Sequence, residues 1–239
     1  METKLPQFYE TEIIRNEKFS DDVALIEAKL PENANLSFKA GQFALIYVTV
    51  NGKEINRAFS FCSKPAQKTV EFLIKKYDQG SVTPLLFNLK KRDKLKIRGP
   101  FGVFNVRKPI QEETVFITAG TGVAPFRSMI NEILEGSPEA KIILIYGFRK
   151  EGEYFFNKEF ENLKKKHPNF HIHLCCTQPS ENWQHRKGRV TKFLKEILKV
   201  PENKHAYICG PNPMINDSLN ILIKEIGFKK EQTNIERWG

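Results

Sequence analysis

The sequence predicts two consecutive domains of different class: a six-stranded antiparallel β-barrel, then a doubly wound α/β domain built on a parallel sheet. Three observations predict this. The 239 residues are long for one domain and short for three. Up to Arg98, polar and apolar residues alternate in short runs separated by turn residues, the period-two signature of half-buried strands. Beyond Thr114 the rhythm changes to continuous apolar runs, each followed by a helical period, as expected of parallel strands covered on both faces. The break Gly99-Pro100-Phe101-Gly102 and the linker around Lys108-Pro109 place the boundary, giving domains 1–109 and 110–239.

In the first domain the alternation predicts strands over 9–19, 23–30, 43–50, 57–62, 70–75 and 94–98, with a helical stretch at 82–89. Asn51-Gly52 supplies the two positive-φ residues of a tight hairpin. In the second, strands at 115–118, 142–146, 170–175 and 206–209 are each followed by a helix, at 125–134, 155–165, 190–198 and 213–226, and a last short strand falls at 233–236.

The composition is globular, with 40% hydrophobic and 28% charged residues. Lys and Arg number 38 against 28 Asp and Glu, a formal charge of +10, and the excess sits mainly in the first half, where 19 basic residues face 12 acidic ones up to Ile110. Such charge suits nucleic acid, an acidic protein or a phosphate-rich cofactor, and does not choose among them. The stripe Lys90-Lys91-Arg92-x-Lys94-x-Lys96-x-Arg98 has no interleaved aromatic on which bases would stack, so nucleic acid ranks low and a solvated, lysine-protected edge strand is the plainer reading. The four cysteines, Cys62, Cys175, Cys176 and Cys209, match no metal or iron–sulfur spacing, and no metal is expected. The polar N-terminus lacks a secretory pattern and no apolar run approaches membrane-span length, so a cytoplasmic protein without a membrane span is expected.

Five segments carry chemistry. Gly120-Thr121-Gly122-Val123-Ala124-Pro125 follows the first strand of the α/β half and opens a helix, where glycines let a pyrophosphate approach the positive helix start. Pro125 stands where the dinucleotide fingerprint has its third glycine, and a proline in a first turn is also ordinary capping. Arg57-Ala58-Phe59-Ser60-Phe61-Cys62-Ser63 places a cation, a flat ring and a hydroxyl close together on a strand, as a phosphorylated planar ligand requires, or as a half-buried strand would in any case. Lys75 to Thr83 enters a helix through Gly80 and Ser81, presenting amides and hydroxyls to an anion or simply capping through Ser81. Cys209-Gly210-Pro211-Asn212-Pro213-Met214 follows a buried strand at the same sheet edge as Gly120 to Gly122. Trp238 lies one residue from the end, where an unpacked aromatic would be unusual.

In their order and spacing these segments resemble the ferredoxin–NADP⁺ reductase-like flavoprotein family over almost the whole chain. The family's Arg-x-Tyr-Ser-x-x-Ser motif matches Arg57, Ser60 and Ser63, with Phe59 replacing the tyrosine, and its nicotinamide motifs match Gly120-Thr121-Gly122-x-x-Pro125 and Cys209-Gly210-Pro211-x-x-Met214. The resemblance implies FAD, ahead of FMN, in the barrel domain and NADPH or NADH as co-substrate in the α/β domain. It implies that Arg57 contacts flavin phosphate, Phe59 lines one ring face and Ser60 approaches N5. It places the pyrophosphate at Lys75, Gly80, Ser81, Val82 and Thr83. Cys209 and Glu236 would flank the hydride-transfer site, and Trp238 would stack on the other ring face as a gate. Losing the tyrosine hydroxyl removes one hydrogen bond. Thr177-Gln178 stands where NADPH-using relatives often have Ser-Arg, yet Arg149 and Arg189 lie at loop ends and tilt the expectation to NADPH.

The implied activity passes electrons from a nicotinamide dinucleotide through FAD to a separate acidic carrier, ferredoxin or flavodoxin, from a monomeric enzyme. Alternatives are an oxygenase reductase component or an electron-transfer subunit of a larger flavoenzyme and, more distantly, a non-enzymatic basic binding protein.

Overall fold

The computed structural model describes residues 5–110 and 113–238, with side chains through Arg237. The chain forms two compact units, Met1–Asn105 with Ala124–Glu132, and Val106–Val123 with Ile133–Gly239.

The first unit holds strands β1 (Gln7–Lys18), β2 (Val23–Lys29), β3 (Phe43–Val50), β4 (Lys53–Ser60), β5 (Thr69–Lys75) and β6 (Lys94–Phe101), with the short helix α1 (Thr83–Phe87) between the last two. All pairings are antiparallel, in the order β4-β3-β6-β1-β2-β5. The two outermost strands meet just beyond β4, where the Cys62 N–H donates to the Glu71 carbonyl of β5 at 3.0 Å, closing the sheet into a barrel. Alternation builds the core: Ile13, Ile26, Ile46, Val70, Phe72, Ile74, Leu95 and Ile97 all point inward and are buried. Phe61 is fully buried and stacks on Phe38 with centroids 4.1 Å apart, a pair worth about 1 kcal/mol beyond its buried area.

β4 and β6 differ most from expectation, β4 also ending at Ser60, two residues before the expected Cys62. β4 starts at Lys53, because the hairpin turn at Asn51 (φ 51°) and Gly52 (φ 75°) pairs Val50 with Lys53 directly and carries the polar Lys53–Asn56 stretch into the ladder. β6 continues through Gly99-Pro100 to Phe101. The β3–β6 register shifts there, from Leu45 opposite Arg98 to Phe43 opposite Phe101, so the proline sits in a bulge where its missing N–H interrupts no ladder bond. The lysine-rich stripe also departs from the edge reading, since β6 lies between β3 and β1. Its cations are engaged across the sheet: Lys94 with Glu12 at 2.7 Å, Lys96 with Glu54 at 2.8 Å, and the Arg98 guanidinium over the Phe8 ring at 5.1 Å.

The second unit holds β7 (Glu113–Ala119), β8 (Lys141–Phe148), β9 (Phe170–Cys176), the two-residue β10 (Arg186–Lys187), β11 (Lys204–Pro211) and β12 (Thr233–Trp238). All run parallel, in the order β10-β9-β8-β7-β11-β12. The helices are α2 (Val123–Gly136), α3 (Asn157–Lys166), α4 (Leu194–Leu198) and α5 (Asn212–Asn220), the last continued by a π-helical turn at Ile221–Ile226. Residues Ala124–Glu132 of α2 group with the first unit, while the helix starts from the second. Strand order reverses between β7 and β11, which creates the switch point beyond whose strand ends such sheets bind ligands. β11 runs past the expected turn to Pro211, because its tail stays paired with β12 after its pairing with β7 ends at Thr118: Gly210 faces Arg237 and Pro211 faces Trp238. Among the described residues, no helix is long and apolar enough to cross a membrane. The four cysteines are buried and form no disulfide.

Candidate functional site

In the first unit the candidate residues cluster where β4 ends. Arg57 is exposed, and its Nη1 donates to the Asn56 carbonyl at 2.7 Å. Phe59 is half-buried, one side against the barrel core, and Ser60 is buried. An exposed guanidinium held by a main-chain carbonyl keeps donors for a phosphate, and beside it lie a partly open ring and a hydroxyl. This donor set fits a planar, phosphate-bearing flavin.

Past Ser60 the chain is tied down residue by residue. The Phe61 N–H donates to the Gln42 carbonyl at 3.0 Å, the Ser63 hydroxyl accepts the Glu71 N–H at 3.2 Å, and the Ser128 hydroxyl donates to the Ser63 carbonyl at 2.7 Å. Arg127 Nη1 reaches both the Cys62 carbonyl at 3.1 Å and Glu71 Oε2 at 2.5 Å, while Arg15 Nη2 meets Glu71 Oε1 at 2.8 Å. None of Arg15, Glu71, Arg127 and Ser128 stood out in the sequence. The available signal was a lone carboxylate inside the apolar run Val70-Glu71-Phe72-Leu73-Ile74, which demands a cation without naming it.

The turn before α1 is less open than expected. Thr83 Oγ1 accepts the Tyr77 N–H at 3.0 Å, Lys75 pairs with Asp22 at 3.2 Å, and the Val82 side chain is buried in the barrel core. Ser81 is exposed and does not cap the helix: Val82 occupies that position and no side chain bonds there. What the segment from Gly80 to Thr83 retains for an anion is main-chain amide and the exposed Ser81 hydroxyl.

In the second unit, Gly120–Gly122 forms a single 3₁₀ turn between β7 and the fourteen-residue α2. Gly120 has φ +56°, and its carbonyl accepts the Tyr146 hydroxyl at 3.1 Å. Gly122 is required for space: a Cβ there would lie 2.5 Å from the Cys209 carbonyl oxygen and 2.7 Å from Thr118 Oγ1. Thr121 and Pro125 are buried in the same turn and first helical turn. The α2 start thus offers main-chain N–H groups and the positive helix end beside a surface with no side chain at Gly120, the setting a pyrophosphate needs.

Parallel pairing sets Thr118, Cys209 and Glu236 in one row across β7, β11 and β12. Gly210 (φ +152°) packs on the Met214 methyl, and Pro211 is exposed at the strand end. Burial pushes the Cys209 thiol well above its ordinary range, and the Glu236 charge adds to this. Because the group is raised, it stays protonated across the range where an open thiol would ionise. Rates of dinucleotide-driven reduction are therefore expected to show no inflection removed by Cys209→Ala between about pH 7 and 9. An inflection lost in that variant would assign the thiol a lower value.

Arg149 lies exposed at the end of β8, where its Nε donates to Gln178 Oε1 at 3.1 Å, and Arg189 is exposed beyond β10. The Trp238 side chain lies outside the described residues; its main chain ends β12.

Residues 10–106 match the family described as oxidoreductase FAD-binding domain, and residues 116–219 the oxidoreductase NAD-binding domain. One component of the Na⁺-translocating NADH-quinone reductase of Marinomonas sp. (strain MWYL1) is 30% identical over 277 residues, covering 97% of this chain and 67% of that protein. The component of the same name from Pseudomonas aeruginosa (strain PAO1) is 33% identical over 209 residues, covering 81% and 51%. The chain thus spans half to two thirds of the length of these relatives. Among solved structures, a ferredoxin NADP⁺ reductase from Neisseria gonorrhoeae with bound FAD and NADP superposes with a TM-score of 0.86 at 22% identity, covering 96% of this chain and 98% of that one. The Amycolatopsis cytochrome P450 reductase GcoB gives 0.89 at 21%, covering 98% and 71%. Both share the fold.

Proposed function

The chain belongs to the ferredoxin–NADP⁺ reductase-like flavoprotein oxidoreductases, binding FAD and a nicotinamide dinucleotide, and from that premise we propose that it is the electron-input module of a larger assembly. It takes electrons from NADH and hands them to a protein partner. The observation that supports this most is the row Thr118, Cys209 and Glu236 set against the Gly120–Gly122 turn at the switch point, in a chain similar along 97% of its length to a reductase component named for NADH and quinone.

Domain 1–109 would hold FAD: Arg57 on its phosphate, Phe59 against one ring face, Ser63 behind the strand end, and the Ser60 hydroxyl in a hydrogen bond at N5. Bound FAD supplies a two-electron acceptor that releases electrons singly or in pairs. Domain 110–239 would hold the dinucleotide: the amides from Gly120 to Gly122 and the α2 start on the pyrophosphate, Gly210 and Pro211 giving the backbone a close approach, and Arg149 and Arg189 near the adenosine end. Cys209, kept neutral by burial, and Glu236 would orient the nicotinamide, with Trp238 shielding the ring site from water. The relative that covers 97% of this chain is named for NADH, and Thr177-Gln178 stands where NADPH-using relatives often have Ser-Arg, which favours NADH over a 2′-phosphorylated dinucleotide. Buried cysteines without a disulfide suit a reducing compartment, which favours the cytoplasm for this module.

A second reading, reduction of a separate ferredoxin or flavodoxin, draws on the basic excess of the first half. The engagement of Lys94, Lys96 and Arg98 by carboxylates and rings leaves that stripe a weaker steering surface than its sequence suggests.

The test is direct. The purified protein is expected to be yellow, or to become so with FAD, and to be reduced faster by NADH than by NADPH in parallel stopped-flow runs. A colourless protein that FAD does not reconstitute would sink the reading, and preference for NADPH would overturn the choice of dinucleotide.

A further inference from the structure

We infer that Arg127, working through Glu71 and seconded by Ser128, is a positioning residue for the flavin-binding edge of the barrel. It sets the conformation of Phe61–Ser63 and hence the presentation of Ser60. This rests on the FAD role proposed for Ser60.

The geometry carries it. Ser60 is the last residue of β4, paired with Phe43 on β3, and the three residues that follow hold that strand end in place. Those residues belong to no strand, yet their main chain is held from two sides. On the barrel side, Phe61 N–H bonds to Gln42 and Cys62 N–H to the Glu71 carbonyl. On the α2 side, Arg127 takes the Cys62 carbonyl and Ser128 the Ser63 carbonyl. Glu71 joins the two: its N–H donates to the Ser63 hydroxyl, and its carboxylate receives Arg127. The side chains of Glu71 and Arg127 are only 10% and 15% exposed, so water does not substitute well for either partner. A folded barrel needs none of this charge, because an apolar pair would fill the space at no greater cost. A planar guanidinium that grips a carboxylate and a main-chain carbonyl at once instead fixes a direction, and the direction fixed is that of the segment leaving Ser60.

The test uses the full chain with FAD. Arg127→Met removes the grip while Glu71 keeps Arg15. Losing a charge-assisted hydrogen bond to the Cys62 carbonyl is expected to weaken FAD binding about tenfold. The visible circular dichroism of the bound flavin, which reports its surroundings, is expected to change as well. Arg127→Lys, which keeps a charged nitrogen donor but not the planar guanidinium whose Nη1 makes both bonds, should recover part of the affinity and move the spectrum back. Ser128→Ala should weaken binding about threefold. An FAD Kd within about twofold of wild type in Arg127→Met, with an unchanged flavin spectrum, would overturn the inference, as would a loss that Arg127→Lys does not recover at all. Should Arg127→Met fail to fold, unchanged affinity in both Arg127→Lys and Ser128→Ala would overturn it. The two readings fail separately: a wild-type chain that binds no FAD defeats the FAD role, whereas FAD binding that Arg57→Ala weakens and Arg127→Met does not defeats the positioning role alone.

Discussion

Gly122→Ala is expected to weaken the nicotinamide dinucleotide by about 3 kcal/mol, on the order of 100-fold, while leaving FAD content intact. The added methyl would sit 2.5 Å from the Cys209 carbonyl oxygen, 2.7 Å from Thr118 Oγ1 and 3.0 Å from the Cys209 carbonyl carbon. Two of these atoms are main chain, and the third is the hydroxyl of a fully buried threonine. None is the far end of a flexible side chain, so β7 and β11 must separate at the switch point where their row ends. Gly120→Ala is the control. That position has open space around a Cβ but φ +56°, so its cost is the left-handed backbone alone, about 1 kcal/mol. FAD occupancy should survive in both variants because Arg57, Phe59 and Ser60 belong to the other compact unit. Titration with the dinucleotide, with flavin absorbance as the occupancy check, separates the outcomes. Equal affinities for the two variants would show that the space at Gly122 does not matter.

The elements readable in the sequence are those whose buried positions are apolar, in alternation or as a continuous run. β2, β3, β8 and β9 appear within a residue or two of expectation because their inward positions are apolar along their whole length. Elements whose ends are set by a partner are not readable this way. The first half of β4 is polar and is a strand only because the Asn51-Gly52 turn lays it on β3. The end of β6 is a strand despite Pro100 because β3 accommodates a bulge, and the end of β11 persists because β12 continues beside it. Strand order is likewise invisible to alternation. The stripe from Lys94 to Arg98 has the pattern of an edge, and only the placement of β6 between β3 and β1 shows why Glu12 lies opposite it and Glu54, on β4 beyond β3, comes within reach.

The same division holds for the site. Gly120, Gly122 and Gly210 could be singled out because glycine at a strand end has few reasons to be there other than a positive φ or a close approach. Arg57 and Ser60 follow from the resemblance to the family's Arg-x-Tyr-Ser-x-x-Ser motif, not from the strand pattern. Ser63 follows from the same motif, but its hydroxyl serves the Glu71 N–H, a structural task that its motif position conceals. Ser81 and Val82 show the converse, since one does not cap and the other fills the core. Arg127 and Glu71 are 56 residues apart, and nothing local links a charge in a strand to a charge in a helix so far along the chain. Their pairing is a property of the fold.

That pairing is also where a single polar substitution should cost substantial stability. Glu71→Ala is expected to destabilise the protein by about 3 kcal/mol, a fall of roughly 6–12 °C in the unfolding midpoint. Arg15 would lose one of three carboxylates and keep Glu17 at 2.7 Å and Glu27 at 3.0 Å, so little of the cost arises there. Arg127, with a side chain 15% exposed, would keep the Cys62 carbonyl but lose the carboxylate that meets it at 2.5 Å. An arginine does not shed its proton to escape, so the penalty is that of a largely buried cation deprived of this anion. The order of the variants follows. Arg127→Met should cost less than Glu71→Ala, because Glu71 keeps Arg15. The double variant Glu71→Ala/Arg127→Met should be more stable than Glu71→Ala alone, because the second change removes the charge from which the first one took its partner. Thermal unfolding of the four apoproteins measures this cycle without reference to any ligand. If the double variant instead falls by the sum of the two single losses, the carboxylate matters for something other than Arg127, and the bonds of the Glu71 main chain to Cys62 and Ser63 become the place to look.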